Sequence, residues 1–357
     1  MTDRVGMPRA VGAISYAMIV GSALGPQPAS ADLGPAEHQA ILVGTLTAGS
    51  SLGAVAGEPP SPSHPRGTLL IAWSLQGLGA TLTEWDLARA RIVRQASLDG
   101  AEGSVSVARV GSWLDVAVEG LTPQGRRVSW ALVDPSTLRV VRKVDLGIGA
   151  SADVASDGAL AVVVWNASSS VRGSEGDSWS AAVLDVDGRV LGLWRASTTH
   201  SSGARARVAV LDGRAFVAVP GQAPCLLVAL APDGSVSRQV SLASGACGSL
   251  VVHDAHLLVG ADRHVEVFSS ELDRIARQSS DGSMAFFSIA ADGRALTCDG
   301  EVLSRAFGAG SRLRGLAWGS CLTVLWSGDT PVAILTSSKG GEAAWVDWLE
   351  PGAARVR

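Results

Sequence analysis

Three short stretches of this 357-residue chain carry side chains that could do chemistry. The first is "VLDVDGRVLGLW", residues 183–194, where Asp185, Asp187 and Gly188 stand in a D-x-D-G order like the start of a calcium loop. Calcium needs further oxygen ligands after the glycine, including a late Glu. Here the chain continues "RVLGLW", which has none. The better reading is a hairpin turn: Asp-Gly suits a two-residue loop, because both central residues need φ > 0. The second stretch is "HDAH", His253 to His256, with His264 nearby. A turn at Asp254–Ala255 sets the two outer histidines face to face. His264 opens the next strand, and at about 3.3 Å per residue it lies at the far end of the sheet. The three do not converge as zinc requires, so they read as turn histidines and no metal is expected. The third is "GDSWS", residues 176–180. A nucleophilic Ser178 would need a histidine base held by a third group. His200 is the one histidine in the neighbouring loops, nothing marks it as a base, and G-x-S-x-G is absent. Ser178 therefore reads as part of a serine-rich loop, and no catalytic residue is assigned.

The elements that would hold these residues are strands. After residue 60, short apolar runs such as "ALAVVVW" and "AFVAVP" alternate with Gly, Asp and Ser, which is strand rather than helix periodicity. The hairpins fall into two kinds. One kind includes "VLDVDGRVLGLW" (183–194), "ALAPDGSVSRQV" (229–240), "LVDPSTLRVVRKV" (132–144) and "EWDLARARIVRQA" (84–96). Between them lie "VASDGALAVVVW" (154–165), "AVLDGRAFVAV" (209–219), "SIAADGRALTC" (288–298) and "LAWGSCLTVLW" (316–326). Two hairpins make a four-stranded antiparallel sheet, and recurrence of that unit is the signature of a β-propeller. Unit starts near Gly49, Ser104, Ala150, Ala204, Gly248, Met284 and Arg312 predict an all-β propeller of seven blades, with six or eight as alternatives and a short sixth blade of three strands. The segment "HQAILVGTL" (38–46) could add an outer strand to the last blade and remove an exposed edge. The Pro-rich "EPPSPSHPRG" (58–67) is a loop of the first blade, or a linker.

"WALVDPSTLRVVRKVDLG" (130–147) resembles the repeats of YVTN-type and WD40-like propellers, and "LLVALAPDGSVSRQVSL" (226–242) is similar to a quinoprotein-type repeat. The resemblance is generic, covers the repeat region, and implies the fold. The tryptophan-docking pattern of quinoprotein repeats has a Gly-Lys and a Trp at fixed offsets from the strand Asp. Asp185 is followed by Gly188 and Trp194 with no Lys, so no quinone is expected, nor any other cofactor.

Residues 1–31 read as a signal peptide. Arg4 and Arg9 form a positive n-region, "AVGAISYAMIVGSAL" (10–24) is too short to span a bilayer, Pro26 and Pro28 break it, and "ASA" (29–31) is a cleavage site. Its removal leaves 32–357 as one propeller domain and shifts the formal charge from −4 to −5, which argues against a general nucleic-acid binder. The expected location is secreted or periplasmic, with no transmembrane segment after cleavage. Of the 29 basic residues all but Lys143 and Lys339 are Arg, and with the abundant Ala and Gly this hints at a GC-rich bacterial genome.

An even count of four cysteines in an exported chain allows two bridges. Cys225 and Cys247 fall in loops on one face of a propeller and can pair; Cys298 with Cys321 is the weaker pair, because its members fall on opposite faces. The strand tryptophans Trp73, Trp85, Trp113, Trp130, Trp165, Trp194, Trp318 and Trp326 are expected to pack between blades, and Trp179, in the longest loop, to be exposed. Three loops exceed what hairpins need: "EGLTPQGRRVS" (119–129), "NASSSVRGSEGDSWS" (166–180) and "STTHSSGARAR" (197–207). Strand order puts them on one face, with Arg126, Arg127, Arg172, Trp179, His200, Arg205 and Arg207 among them. Arg forks suit carboxylate, sulfate or phosphate. The expectation is a monomeric binding or scaffold module for an anionic glycan or acidic protein. The alternatives are a hydrolase or lyase with its site at the central channel, and a structural cell-surface protein.

Overall fold

A computed structural model describes most of residues 38–348. Residues 1–37, 46–50, 168–176, 199–204, 243–246, 280–286, 304–309, 313–319, 337–341 and 349–357, with several shorter pieces, lie outside the described set, and with them the segment expected to be a signal peptide, Arg172, His200, Trp318 and Cys298. Among the described residues the strands sort into seven four-stranded antiparallel sheets. We number them in chain order: residues 51–98, 105–148, 150–198, 207–241, 249–279, 287–312, and 320–348 for the seventh. Each of the first six is a simple meander. The seventh takes its outermost strand from the other end of the chain, where His38–Thr45 pairs antiparallel with Glu342–Trp348. Among the described residues no helix is long and apolar enough to cross a membrane.

The first strand of every sheet touches the first strand of the next, and that of the seventh (Ser320–Ser327) touches that of the first (Ser51–Ala56), so the inner strands close a ring. This is propeller geometry. The core lies between sheets, because period-two alternation gives each middle strand two apolar faces. Val162, Val164, Ala181 and Val183 of sheet 3 face Val208, Val217 and Val228 of sheet 4, while Val163, Trp165, Ala182 and Leu184 face Trp130 and Val128 of sheet 2. The middle strands therefore read as continuous runs such as "LAVVVWN", and the half-exposed outer strands do not.

The turns differ in one respect from the two-residue expectation. At Asp185 the loop is three residues long: Gly188 N–H donates to the Asp185 carbonyl (2.9 Å), Asp185 N–H donates to the Arg189 carbonyl (3.0 Å), and Gly188 alone has φ > 0. The same turn recurs at Ala231–Ser235, Ser269–Asp273 and Ala290–Arg294. It is a type I turn closed by a residue in the left-handed region. Leu272 takes that place in sheet 5 at φ 58°. Two-residue turns with both φ positive do form at Asp212–Gly213 and Asp254–Ala255, which sets His253 opposite His256. The Asp185 carboxylate accepts from Asp187 N–H (3.0 Å) and Arg189 N–H (2.8 Å). Its lone pairs serve the turn.

These outer turns also join neighbouring sheets. Arg94, Arg142 and Arg238 occupy one equivalent place in the outer strands of sheets 1, 2 and 4, opposite the residue two before the turn. Arg94 donates to the Ser136 carbonyl in the turn of sheet 2, Arg142 lies 3.9 Å from Asp187 in the turn of sheet 3, and Arg238 pairs with Asp273 in the turn of sheet 5 at 2.6 Å. In sheet 3 the equivalent residue is Gly192, and a Cβ there would collide with the Asp233 backbone. Arg94 and Arg238 are thus latches between sheets, while Arg142 only approaches its neighbour.

Inner strands start at Ser51, Val105, Ala150, Arg207, Ser249, Phe287 and Ser320. Arg312 does not open the last sheet: it ends the outer strand of sheet 6, which has four strands, all short. The Pro-rich segment joins the first two strands of sheet 1. Trp113 is not packed between sheets but is 42% exposed at a turn.

Candidate functional site

Strands alternate in direction, so the connections between second and third strands share one end of the ring with the crossovers from each outer strand to the next inner strand. Glu119 organises this end. It lies near the end of the second strand of sheet 2, Trp113–Thr122, and is buried. Its Oε2 accepts from Ser104 N–H (3.1 Å), Ser104 Oγ–H (2.8 Å) and Ser151 N–H (3.2 Å), and its Oε1 from the Arg126 guanidinium. Ser104 Oγ in turn accepts from Ala152 N–H at 3.1 Å. Glu119 thus accepts four hydrogen bonds, three from Ser104 and Ser151 on either side of sheet 2 and one from Arg126 in that sheet's own third strand. Gly103 is required beside it, since a Cβ would strike the Glu119 carboxyl group.

Asp153, on the inner strand of sheet 3, makes a second hub. It accepts from Ser106 Oγ–H of sheet 2 at 2.7 Å and from Val208 N–H of sheet 4 at 3.4 Å, and Arg207 stands 3.9 Å away. Arg207 reaches on to donate its Nε–H to the Gly248 carbonyl, just before sheet 5, at 2.8 Å. One polar chain thus ties four successive inner strands. Glu84 is similarly committed, to Thr68 (2.7 Å) and Arg94 (2.7 Å), whereas buried Glu266 has Arg274 at 2.9 Å and His264 at 3.4 Å as ion-pair neighbours but accepts no hydrogen bond among the described residues. A buried charge is tolerable only when so paired.

The residues proposed from the sequence fare unequally. The segment 119–129 is not a loop: its strands pair as far as Thr122 and Gly125, because a long hairpin satisfies backbone groups that a loop would leave open. Arg126 is bound to Glu119, and Arg127 grips Asp145 through both carboxylate oxygens at 2.9 and 3.1 Å. Trp179 is not in a loop either. It lies in the strand Asp177–Asp185, 1% exposed, within the core shared with sheet 4. The alternation that buries Ala181 and Val183 carries Trp179 to the same face. Ser178 is part of that strand. Arg205, two residues before the inner strand of sheet 4, is exposed, and no described residue offers it an acceptor within hydrogen-bonding distance. Surrounding protein and the Arg207 charge push its pKa below the ordinary arginine value, with Asp153 and Glu119 opposing. It is an incompletely compensated cation.

Cys225 and Cys247 are joined, their Cα atoms 6.2 Å apart, which ties the third strand of sheet 4 to the crossover entering sheet 5. Cys321 lies in the inner strand of sheet 7. His253 and His256 face each other at one end of sheet 5, and His264 pairs with Ala261 at the other. Among the described residues no group of three His, Cys, Asp or Glu is placed to hold a metal ion.

Sequence reasoning missed Asp115, in the second strand of sheet 2 and buried against Trp130 and Ser156. Burial raises its pKa above the ordinary value in spite of both hydrogen bonds. An acid in a strand of otherwise apolar residues was the available signal.

No family model matches the sequence, and no curated protein matches it. Solved structures do match in shape. The β-propeller domain of Cps50 (Swd1) from Myceliophteria thermophila superposes with a TM-score of 0.52 at 13% identity, covering 86% of this chain and 99% of that one. The AfRom2 CNH domain gives 0.50 at 12% identity, covering 87% and 98%. At such identity the likeness concerns the fold alone, and that fold is a β-propeller.

Proposed function

We propose that this protein is a seven-bladed propeller, exported to the periplasm or the medium, that acts as a binding or scaffold module for an anionic partner, either an anionic glycan or an acidic protein. The seven sheets and the closed succession of inner strands support the blade count, and the leader pattern of residues 1–31 supports export. The observation that carries the binding reading is Arg205. Around it Glu119, Asp153, Arg126 and Arg207 are already engaged with one another or with backbone groups, so among the described residues Arg205 is a cation at this end left to meet a ligand. A guanidinium in that position favours a carboxylate, sulfate or phosphate held in its plane.

The test uses chain 32–357 on an array of sulfated and uronic-acid glycans and acidic peptides, beside Arg205→Ala and Arg205→Lys. The reading expects salt-sensitive binding that Arg205→Ala abolishes and Arg205→Lys partly keeps. Binding indifferent to both substitutions, or none to any anionic probe, rejects it. Export is checked on native protein, whose first residue should be Asp32.

A further inference from the structure

The gap between the outer strands of sheets 2 and 3 differs from the gap between sheets 3 and 4. Its sheet 3 wall is the strand Val190–Thr198. There Val190 pairs with Leu184, Leu193 with Ala182 and Arg195 with Ser180. Leu184 and Ala182 face Trp130 of sheet 2, so Val190, Leu193 and Arg195 look into the same gap. The opposite wall is the strand Arg139–Ile148, where Arg142 and Val144 pair with Leu132 and Trp130 and take the same direction. Trp130, Ala182 and Leu184 are the buried floor. At the turn end the floor is sealed by Gly188, packed on Trp130 and Arg142.

Above that floor the walls are apolar and open. Leu193 is 55% exposed, with Val190 and Leu191 beside it. In sheets 1, 4 and 5 the outer strands expose one large aliphatic each, Val93, Val236 and Ile275. The next gap, between sheets 3 and 4, is closed where Gly192 lets the Asp233–Gly234 turn lie directly on the strand. Cations flank the open gap. Arg189 and Arg195 are exposed and no described acid pairs with them, and Arg142 has Asp187 only at 3.9 Å. Both walls are outermost strands with a free backbone edge, and such an edge is a template for an added strand.

We propose that this gap docks an extended segment of a partner protein in which aliphatic and acidic residues take turns along the one face toward the gap, at every second position. The aliphatic side chains would enter between Val144 and Leu193, the acids would meet Arg142, Arg189 and Arg195, and main-chain hydrogen bonds would run along a free edge. Leu193 and Arg195 stand two residues apart on one strand face, so the segment needs its aliphatic and acidic residues at successive positions of its own facing side, also two apart. The surface lies on the side of the ring and does not depend on Arg205.

The experiment is fluorescence anisotropy of chain 32–357 with a labelled peptide carrying leucine and glutamate in turn at every second position, with serine between, and the same peptide with lysine for glutamate as control. Phosphatidylglycerol vesicles form a separate arm. The expected result is saturable binding of the acidic peptide alone, weakened about ten-fold or more by Leu193→Glu and by Arg195→Glu. Val236→Glu and Ile275→Glu should leave it unchanged. All four positions are exposed, and circular dichroism melts should show each variant folded. Failure to bind above the lysine control overturns the proposal, as does equal weakening by Val236→Glu. Vesicle binding through Leu193 and Arg195 without peptide binding overturns it in favour of a lipid surface.

Discussion

The indole N–H of Trp130 donates to Oδ1 of Asp115 at 2.7 Å, with both side chains out of solvent between sheets 2 and 3. Burial raises the Asp115 pKa against the pull of Trp130 and Ser156. A raised acid adds stability that is complete below its unfolded value, near 4, and is lost as pH rises through the folded value. Asn at this place keeps an acceptor oxygen for Trp130 and does not ionise. Urea titrations across pH should therefore show Asp115→Asn gaining on the parent as pH rises from about 4 toward 8. A constant difference at every pH would show that ionisation of Asp115 does not matter.

Asp86 should behave in the opposite sense. Burial works to raise its pKa, but hydrogen bonds from the His64 ring, the Arg89 guanidinium and Arg89 N–H outweigh it and hold the carboxyl below its ordinary value. Stability of this kind is present above the unfolded pKa and is lost as pH falls through the folded one. Asp86→Asn should cost about 2 kcal/mol at pH 7, and the deficit should shrink as pH falls below about 4. A deficit as large at pH 3 as at pH 7 would refute the charge argument.

Gly192→Ala tests the direct backbone contact between sheets 3 and 4. A Cβ at this position meets the carbonyl carbon and oxygen of Asp233, neither of which can swing aside. The cost should be about 1–3 kcal/mol, read as a lower midpoint in thermal melts. An unchanged midpoint would mean that the outer strand and the turn do not press on each other.

The Cys225–Cys247 bridge closes a loop with a sequence separation of 22. Replacing both residues with Ser should lower stability by about 3 kcal/mol, and reductant should reproduce the loss in the parent but not in the variant. If reductant destabilised the double variant equally, its effect would arise elsewhere in the chain.

Much of the architecture is legible because it is local. Val-rich runs, Asp-Gly turns and a hairpin repeated along the chain specify strands and their order, since period-two burial and turn stereochemistry act over a few residues. The same reasoning found Cys225 and Cys247 within reach of each other, because alternating strand direction fixes which loops share an end. It erred where strand length depends on the neighbours. Residues 119–129 and 177–180 look like loops by their Gly, Ser and charge content, yet pairing extends through them, and Trp179 is carried inward.

What the sequence by itself determined is therefore the all-β repeat, the order of the strands and the identity of the turn residues. The tertiary structure alone decided which charges remain open. Arg126, Arg127, Arg205 and Arg207 look alike in the sequence, and only the ring brings Glu119, Asp145 and Asp153 to the others while leaving Arg205 without an acceptor among the described residues. The same holds for the outer arginines: Arg94 and Arg238 are consumed as latches, Arg189 and Arg195 are not. The reason is physical. Backbone periodicity is set by adjacent residues, but pairing of a charge depends on acceptors supplied by other sheets, dozens of residues away, once the ring has closed.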